Sequence, residues 1–163
     1  MASPRSTLRE ELTARLLPEL RVRGFVGPRT IAGNALLHDF KRPYGSSTHV
    51  LTLQLEKRGL PRFIINLVVE PSAGFDALIS NGGTVLNGRV RPTPGFTTRT
   101  WFRADPTLWQ KLLGRRGYRP AGAVTSCLAL LPEIDAWWET QAPSRHITVD
   151  ATHFPGVANV GRA

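Results

Sequence analysis

Residues 48–70 read THVLTLQLEKRGLPRFIINLVVE, and two runs within this stretch carry an apolar residue at every second position. Alternation of this kind is typical of a β-strand that has one face in a core. The segment RGLP at 58–61 separates the two runs, so the stretch predicts a β-hairpin at the centre of the chain. The apolar residues of its inner face are Leu51, Leu53, Leu55, Phe63, Ile65, Leu67 and Val69.

The register of this hairpin depends on the length of its loop. A loop over residues 58–62 predicts that Leu53 lies opposite Leu67 and that Gln54 lies opposite Asn66. This register keeps the large apolar side chains on one face, and it places the two amides side by side on the other face.

An amphipathic helix is predicted before the hairpin. Thr7 and Glu10 have the spacing of a capping box, and leucines then recur at helical spacing over residues 8–20. Gly24 is expected to end the helix, because glycine readily adopts the left-handed conformation that closes many helices. Pro18 has no amide donor, so an irregular turn is expected just before it.

Two further extended regions are predicted around the hairpin, at residues 34–40 and 96–103. Between them, Asn87-Gly88 stands between short extended runs. This dipeptide suits both central positions of a type I′ turn, so it predicts a second, tight hairpin.

The C-terminal third of the chain is predicted to be mainly helical. One helix is expected to start at Asp105-Pro106, and two more are expected over residues 121–131 and 132–141. The order of elements predicts an α+β fold, with an antiparallel sheet of about four to six strands packed against N- and C-terminal helices. We expect one domain over residues 1–145 and a partly flexible tail over residues 146–163.

The charge of the chain is strongly positive. There are 21 lysines and arginines against 12 aspartates and glutamates, which gives a formal net charge of +9. Only Lys41, Lys57 and Lys111 are lysines, so the basic residues are mainly arginines. Arginine binds carboxylates and phosphates through a planar two-pronged edge, and a basic protein attracts anions through its long-range field. The composition therefore favours an acidic protein or a nucleic acid as the partner.

The cysteine count and the hydropathy pattern indicate a soluble cytoplasmic protein. Cys127 is the only cysteine, so the chain has no internal disulfide, as is usual in a reducing compartment. The first residues carry no signal-peptide pattern, and no stretch approaches the roughly 20 apolar residues that a membrane span requires. We therefore expect no membrane partner.

The order of the short motifs resembles a known family. The first helix ends in Arg-Gly-Phe at 23–25, a strand carries Leu-Gln-Leu at 53–55, and its partner strand carries Phe-Ile-Ile-Asn-Leu at 63–67. An aromatic and arginine-rich strand and a tryptophan-bearing helix follow. Over roughly residues 8–140 this order is similar to the DUF4304 family, a group of small bacterial domains of unknown function. The resemblance implies an α+β fold and assigns no catalytic residue.

No residue pattern predicts catalysis, a metal site or a cofactor. The four histidines lack the spacing of a helical zinc pair, and Cys127 lies in an apolar segment that is typical of an inert core cysteine. A phosphate-binding glycine-rich loop is also absent from the sequence. We therefore predict no catalytic residue, no metal ligand and no cofactor.

The strongest functional signal combines arginine with an aromatic residue. Alternation along residues 96–103 predicts that Phe96 and Phe102 face the core while Arg99, Trp101 and Arg103 face outward. Arginines around an aromatic ring can hold a phosphate backbone and stack a base, although Trp101 could equally close the edge of the core. With two arginines of the neighbouring strand, the predicted anion- or nucleic-acid-binding residues are Arg89, Arg91, Arg99, Trp101 and Arg103.

Three function hypotheses follow from these patterns. The first is a non-catalytic binding module whose arginine-rich surface recognises an acidic protein surface. The second is direct binding of nucleic acid through the Arg/Trp sheet face. The third is an enzyme whose site forms only in three dimensions, for example around His38, His49 and a carboxylate.

Overall fold

A computed structural model of the chain describes residues 3–31, 36–94, 100–106, 112–114 and 117–154. Its centre is a six-stranded antiparallel sheet in the order β1-β2-β3-β4-β6, and the short strand β5 pairs with β3 beside β4. The predicted α+β fold is confirmed. The strands are β1 (Leu37–Tyr44), β2 (Ser47–Leu55), β3 (Arg62–Pro71), β4 (Gly83–Val90), β5 (Phe102–Arg103) and β6 (Ile147–Phe154).

The N-terminal helix and the two C-terminal helices pack against one face of this sheet. The apolar side chains of β2 and β3 pack with leucines of the N-terminal helix and with residues from the two C-terminal helices. Within the described ranges, no helix is long and apolar enough to cross a membrane. The helices are α1 (Pro4–Glu11), α2 (Leu17–Val22), α3 (Gly74–Asn81), α4 (Pro120–Leu128) and α5 (Leu131–Thr140).

The first helix begins earlier than its sequence pattern predicts. Ser3 is the N-cap, and its hydroxyl accepts a hydrogen bond of 3.1 Å from the amide of Ser6. The predicted capping box at Thr7 is therefore wrong, because the helix has already completed a turn there. Helices α1 and α2 are joined by a π-helical turn over Leu12–Leu16 directly before Pro18, where the sequence predicts an irregularity. The predicted end at Gly24, whose φ is +82°, is confirmed.

The central hairpin has the predicted faces and a different register. Leu53 lies opposite Ile65, and Asn66 lies opposite Thr52. The predicted pairs Leu53–Leu67 and Gln54–Asn66 are wrong by two residues, because the loop between Leu55 and Phe63 is longer than residues 58–62. A shift of two residues keeps each side chain on its face, so the leucines remain inside and the amides remain outside.

The predicted hairpin at Asn87-Gly88 does not exist. Both residues lie within β4, which runs without a turn from Gly83–Val90. Gly88 faces the core, where a Cβ atom would come within 2.9 Å of the Trp137 ring. The glycine at this position therefore serves close packing of α5 on the sheet and does not form a turn.

Two of the three predicted C-terminal helices are confirmed as α4 and α5, and the helix predicted from Asp105-Pro106 falls largely outside the described residues. Trp137 and Trp138 are both buried, because one packs on the sheet at Gly88 and the other stacks on His49. Residues 147–154, which the sequence places in a tail, form β6 and pair with β4 along its whole length.

Candidate anion-binding surface

The predicted basic residue of β4, Arg89, lies on the face of the sheet opposite α5, since the neighbouring Gly88 packs on Trp137. Arg89 is exposed, and its Nε donates a hydrogen bond of 3.1 Å to the side-chain oxygen of Asn66 on β3. Arg91 follows the strand, and its backbone amide donates to the carbonyl of His146. Arg99 lies outside the described residues. Asn66 therefore holds an arginine side chain, whereas the sequence predicts Gln54 as its neighbour.

Trp101 and Arg103 lie together beside β5. Phe102 points into the core and stacks on Phe63 with 4.9 Å between the ring centroids, so the predicted alternation holds over residues 101–103. Trp101 and Arg103 line a cleft of about 350 Å³ between β5 and the start of α4. Arg119 lines the same cleft, so it joins the predicted residues there.

Arg103 is already paired within the molecule. Arg62 and Arg103 both direct their Nε and Nη2 atoms at the carboxylate of Asp105, at 2.6 and 2.5 Å from Arg62 and at 3.4 and 2.8 Å from Arg103. Burial alone would raise the pKa of Asp105, but the hydrogen bonds from the two arginines lower that pKa to about 2. The sequence predicts Asp105 as a helix cap, and the residues that would form that helix, 107–111, lie outside the described ranges.

Arg5 and Arg9 form a second arginine pair, one helical turn apart on α1. The Nε and Nη2 atoms of each side chain are buried, and they meet no hydrogen-bond acceptor in the part of the chain that the structure describes. These two atoms form the two-pronged edge of a guanidinium, which we call the fork. Burial and the neighbouring charge of Arg5 lower the pKa of Arg9. Sequence reasoning missed this pair, although two like charges at i and i+4 near a helix start are a readable signal.

The loop between β2 and β3 lies beside this pair. A Cβ atom on Gly59 would lie 3.9 Å from Nη1 of Arg5, so the loop backbone is close to that guanidinium. Lys57 and Arg58 of the same loop are exposed. Four basic residues thus gather at one end of the molecule, which we call the basic end: Arg5, Arg9, Lys57 and Arg58.

The nearby carboxylates are engaged elsewhere. Glu56 of the loop is buried, and it accepts a hydrogen bond of 3.1 Å from the amide of Leu60. On the helix, Glu10 accepts from the hydroxyl of Ser6, and Glu11 pairs with Arg15 at 3.4 Å. Among the described residues, none of these three carboxylates is therefore paired with the forks of Arg5 and Arg9.

His38 and His49 do not form a common site. His49 lies opposite Arg42 on β1, whereas His38 lies four residues away along the same strand and opposite Leu53. His49 is buried with its ring stacked on Trp138 at 4.5 Å, and Arg42 Nη2 lies 3.0 Å from its Nδ1. Burial and then the charge of Arg42 lower the pKa of His49. This arrangement packs α5 against the hairpin.

The other candidate reactive groups are also engaged in packing or pairing. Cys127 is fully buried, and burial raises the pKa of its thiol to about 12. His146 bonds Glu133 at 2.7 Å, and that carboxylate also accepts from the Ser144 hydroxyl. Among the residues that the structure describes, no group of three or more histidine, cysteine, aspartate or glutamate side chains could hold a metal ion.

Comparisons of the chain with protein-family models, with curated proteins and with solved structures found no match. The resemblance to the DUF4304 family therefore stays a prediction.

Proposed function

We propose that this protein is a binding module that recognises an acidic protein surface and carries out no chemical step of its own. The observation that carries the proposal is that much of the positive charge is not neutralised within the molecule. Among the described residues, the Arg5 and Arg9 forks meet no acceptor, and the exposed Arg89 donates to the neutral amide of Asn66. An external anion satisfies such donors when the arginine side chains turn toward it.

The acidic residues of the chain support this proposal by where they are used. Glu19 and Asp135 both pair with Arg23, and Asp105 takes up two arginines. Since the chain has 12 acidic residues against 21 basic ones, pairing on this pattern leaves a surplus of arginine. A surplus on the surface raises the rate of encounter with acidic partners and makes the affinity depend on salt.

A salt series with a defined acidic probe tests the proposal. We expect a fluorescein-labelled peptide of alternating glutamate and glycine to bind at about 50 mM salt and to bind much more weakly at about 200 mM. An alternating lysine and glycine peptide of equal length is the matched control, and it should not bind. Binding of the glutamate peptide that is unchanged in molar salt, or no binding at low salt, would refute an electrostatic interface.

A second candidate, direct binding of nucleic acid, is favoured by the cleft beside β5. Trp101 lines that cleft with Arg103 and Arg119, and a tryptophan beside arginines can stack a base while the guanidiniums meet phosphates. Anisotropy with single-stranded and duplex oligonucleotides at about 50 and 200 mM salt would test it. If Trp101→Ala and Arg119→Gln bind the single strand as tightly as the wild type does, this candidate is wrong.

The partner is expected in the cytoplasm, as the sequence indicates. The single cysteine is buried, so the fold has no exposed thiol among the described residues that would depend on the redox state of its surroundings.

A further inference from the structure

Two arginine pairs of this molecule use the same chemistry with different outcomes. Arg62 and Arg103 close their forks on one carboxylate, that of Asp105. Arg5 and Arg9 turn their forks away from water in the same manner, with no acceptor among the described residues. Buried donors without acceptors are rare in native proteins, and an unoccupied ligand site is one of their few physical explanations.

The position of Arg5 and Arg9 is unfavourable on three separate counts. Arg5 lies in the first turn of α1, where the helix dipole disfavours positive charge. Arg9 follows one turn later on the same face, and like charges at this spacing repel. Burial of the fork atoms adds a desolvation cost that no hydrogen bond offsets. One anion seated between the two forks would relieve all three effects at once.

We propose that Arg5 and Arg9 form a receptor for one carboxylate side chain of the acidic partner, in the way that Arg62 and Arg103 hold Asp105. This inference rests on the proposed function and identifies the part of the surface that binds the acidic partner. The internal site shows that a single carboxylate is sufficient for two arginine forks in this protein. The planar fork matches the two oxygens of a carboxylate, so an aspartate or glutamate fits the pair without distortion.

The adjacent loop indicates what surrounds that carboxylate. Gly59 has a φ of +83°, which brings the loop backbone against Arg5 without a side chain in between. Lys57 and Arg58 directly precede Gly59 and are exposed, so they add a broad positive field around a specific pair of forks. The partner segment is therefore expected to carry several acidic residues, of which one enters the receptor.

Anisotropy with the labelled glutamate peptide tests the receptor through matched variants. Arg5→Gln/Arg9→Gln should weaken binding by about tenfold or more, because hydrogen-bonded charge pairs are lost. Arg21→Gln/Arg29→Gln removes the same charge from exposed positions outside the basic end, and it should weaken binding by about twofold at most. Arg5→Lys/Arg9→Lys keeps the charge and removes the forks, and it should weaken binding severalfold.

The outcomes separate the receptor from the proposed function. If the wild type binds and both double glutamine variants weaken binding equally, or if the lysine variant binds as the wild type does, the receptor is wrong while the binding function stands. If the wild type does not bind the peptide, the proposed function fails with it. The carboxylate assignment is overturned if inorganic phosphate displaces the peptide at a tenth of the concentration at which acetate displaces it. It is also overturned if binding of a single-stranded oligonucleotide depends on Arg5 and Arg9 while binding of the peptide does not.

Unfolding in urea accompanies each variant, so a loss of binding is compared only between folded proteins. The lysine variant retains both charges and both long side chains, which makes it the decisive comparison even if a glutamine variant is less stable.

Discussion

The two arginine pairs of this protein flank the same hairpin loop and differ in one respect. Arg62 and Arg103 at the start of β3 and on β5 enclose a nearly buried carboxylate of their own chain, that of Asp105. Arg5 and Arg9 on α1 have no such carboxylate. The number of arginines alone therefore does not indicate function: a pair that shares an internal carboxylate belongs to the structure, whereas we propose that a pair without one binds a partner.

The largest expected change in stability comes from removing the carboxylate that Arg62 and Arg103, the closed pair, share. Asp105→Asn removes the charge that both guanidiniums share, and we expect the free energy of unfolding to fall by roughly 3 kcal/mol, because removing one partner of a buried pair leaves the others uncompensated. Urea unfolding measures this change. Asp39→Asn is the matched control, since that carboxylate accepts a hydrogen bond from Thr52 on an exposed part of the sheet and its loss should cost about 0.5 kcal/mol.

Equal losses from Asp105→Asn and Asp39→Asn would remove the distinction between a closed pair and a surface contact. The internal site would then no longer serve as a precedent for the receptor at Arg5 and Arg9.

Acid titration tests the contribution of Asp105 to stability in the wild-type protein as well. The pKa of Asp105 is lowered from 3.8 to about 2 in the folded protein, so the unfolded chain binds the proton more readily. Asp105 should therefore contribute about 2 kcal/mol of stability above pH 4, and this contribution should disappear as the pH falls through 2. Unfolding curves of the wild type and Asp105→Asn between about pH 5 and pH 2 should converge as the acid protonates. Parallel curves would contradict the lowered pKa.

Arg42 shows a third arrangement, in which a histidine ring is one of several partners: its Nη2 lies 3.0 Å from His49 Nδ1, and its Nη1 donates to the carbonyl of Arg23 and lies 3.9 Å from Asp135. The pKa of His49 is lowered, chiefly by burial and then by Arg42, while Glu139 opposes the shift. The unfolded chain therefore binds a proton more readily than the folded protein does, and stability should fall as the pH drops below about 6.5. His49→Gln should abolish this slope, and His153→Gln should leave it in place. The same slope in both variants would mean that another group is responsible.

The smallest expected change in the free energy of unfolding has the opposite sign and concerns Arg5 and Arg9, the open pair. Arg9→Gln should raise the free energy of unfolding by about 0.5 kcal/mol, because it removes a like charge one turn from Arg5 and a fork without an acceptor. Arg62→Gln is the matched control and should lower stability, since it opens the pair on Asp105. If Arg9→Gln destabilises the protein as Arg62→Gln does, Arg9 has a structural partner and the two pairs are alike.

The sequence predicts the parts of the fold that depend on local patterns. Alternation in the central hairpin places the correct face inward, and the left-handed Gly24 ends the first helix where expected. Asn87-Gly88 misleads because its local preference for a turn yields to tertiary packing, in which Trp137 occupies the space that a side chain would fill. The register shifts by two residues because face alternation cannot distinguish shifts of that size.

The candidate surface is harder to predict because pairing between distant residues decides it. The spacing of residues 101–103 correctly places Trp101 and Arg103 outward, but no local pattern shows that Arg103 is held by Asp105 together with Arg62. Arg5 and Arg9 resemble any solvated pair in the sequence. Only the three-dimensional arrangement of the described residues shows that Arg62 and Arg103 share a carboxylate whereas Arg5 and Arg9 do not.

The most direct test of the contrast follows the arginine side chains by NMR during titration with glutarate, a small dicarboxylate. Our account predicts that the Nε–H signals of Arg5 and Arg9 shift progressively, because their forks are free, while those of Arg62 and Arg103 stay fixed on Asp105. Chloride at equal ionic strength should reproduce none of the shifts. Uniform small shifts of all four signals, or shifts at Arg62 and Arg103 alone, would contradict the account.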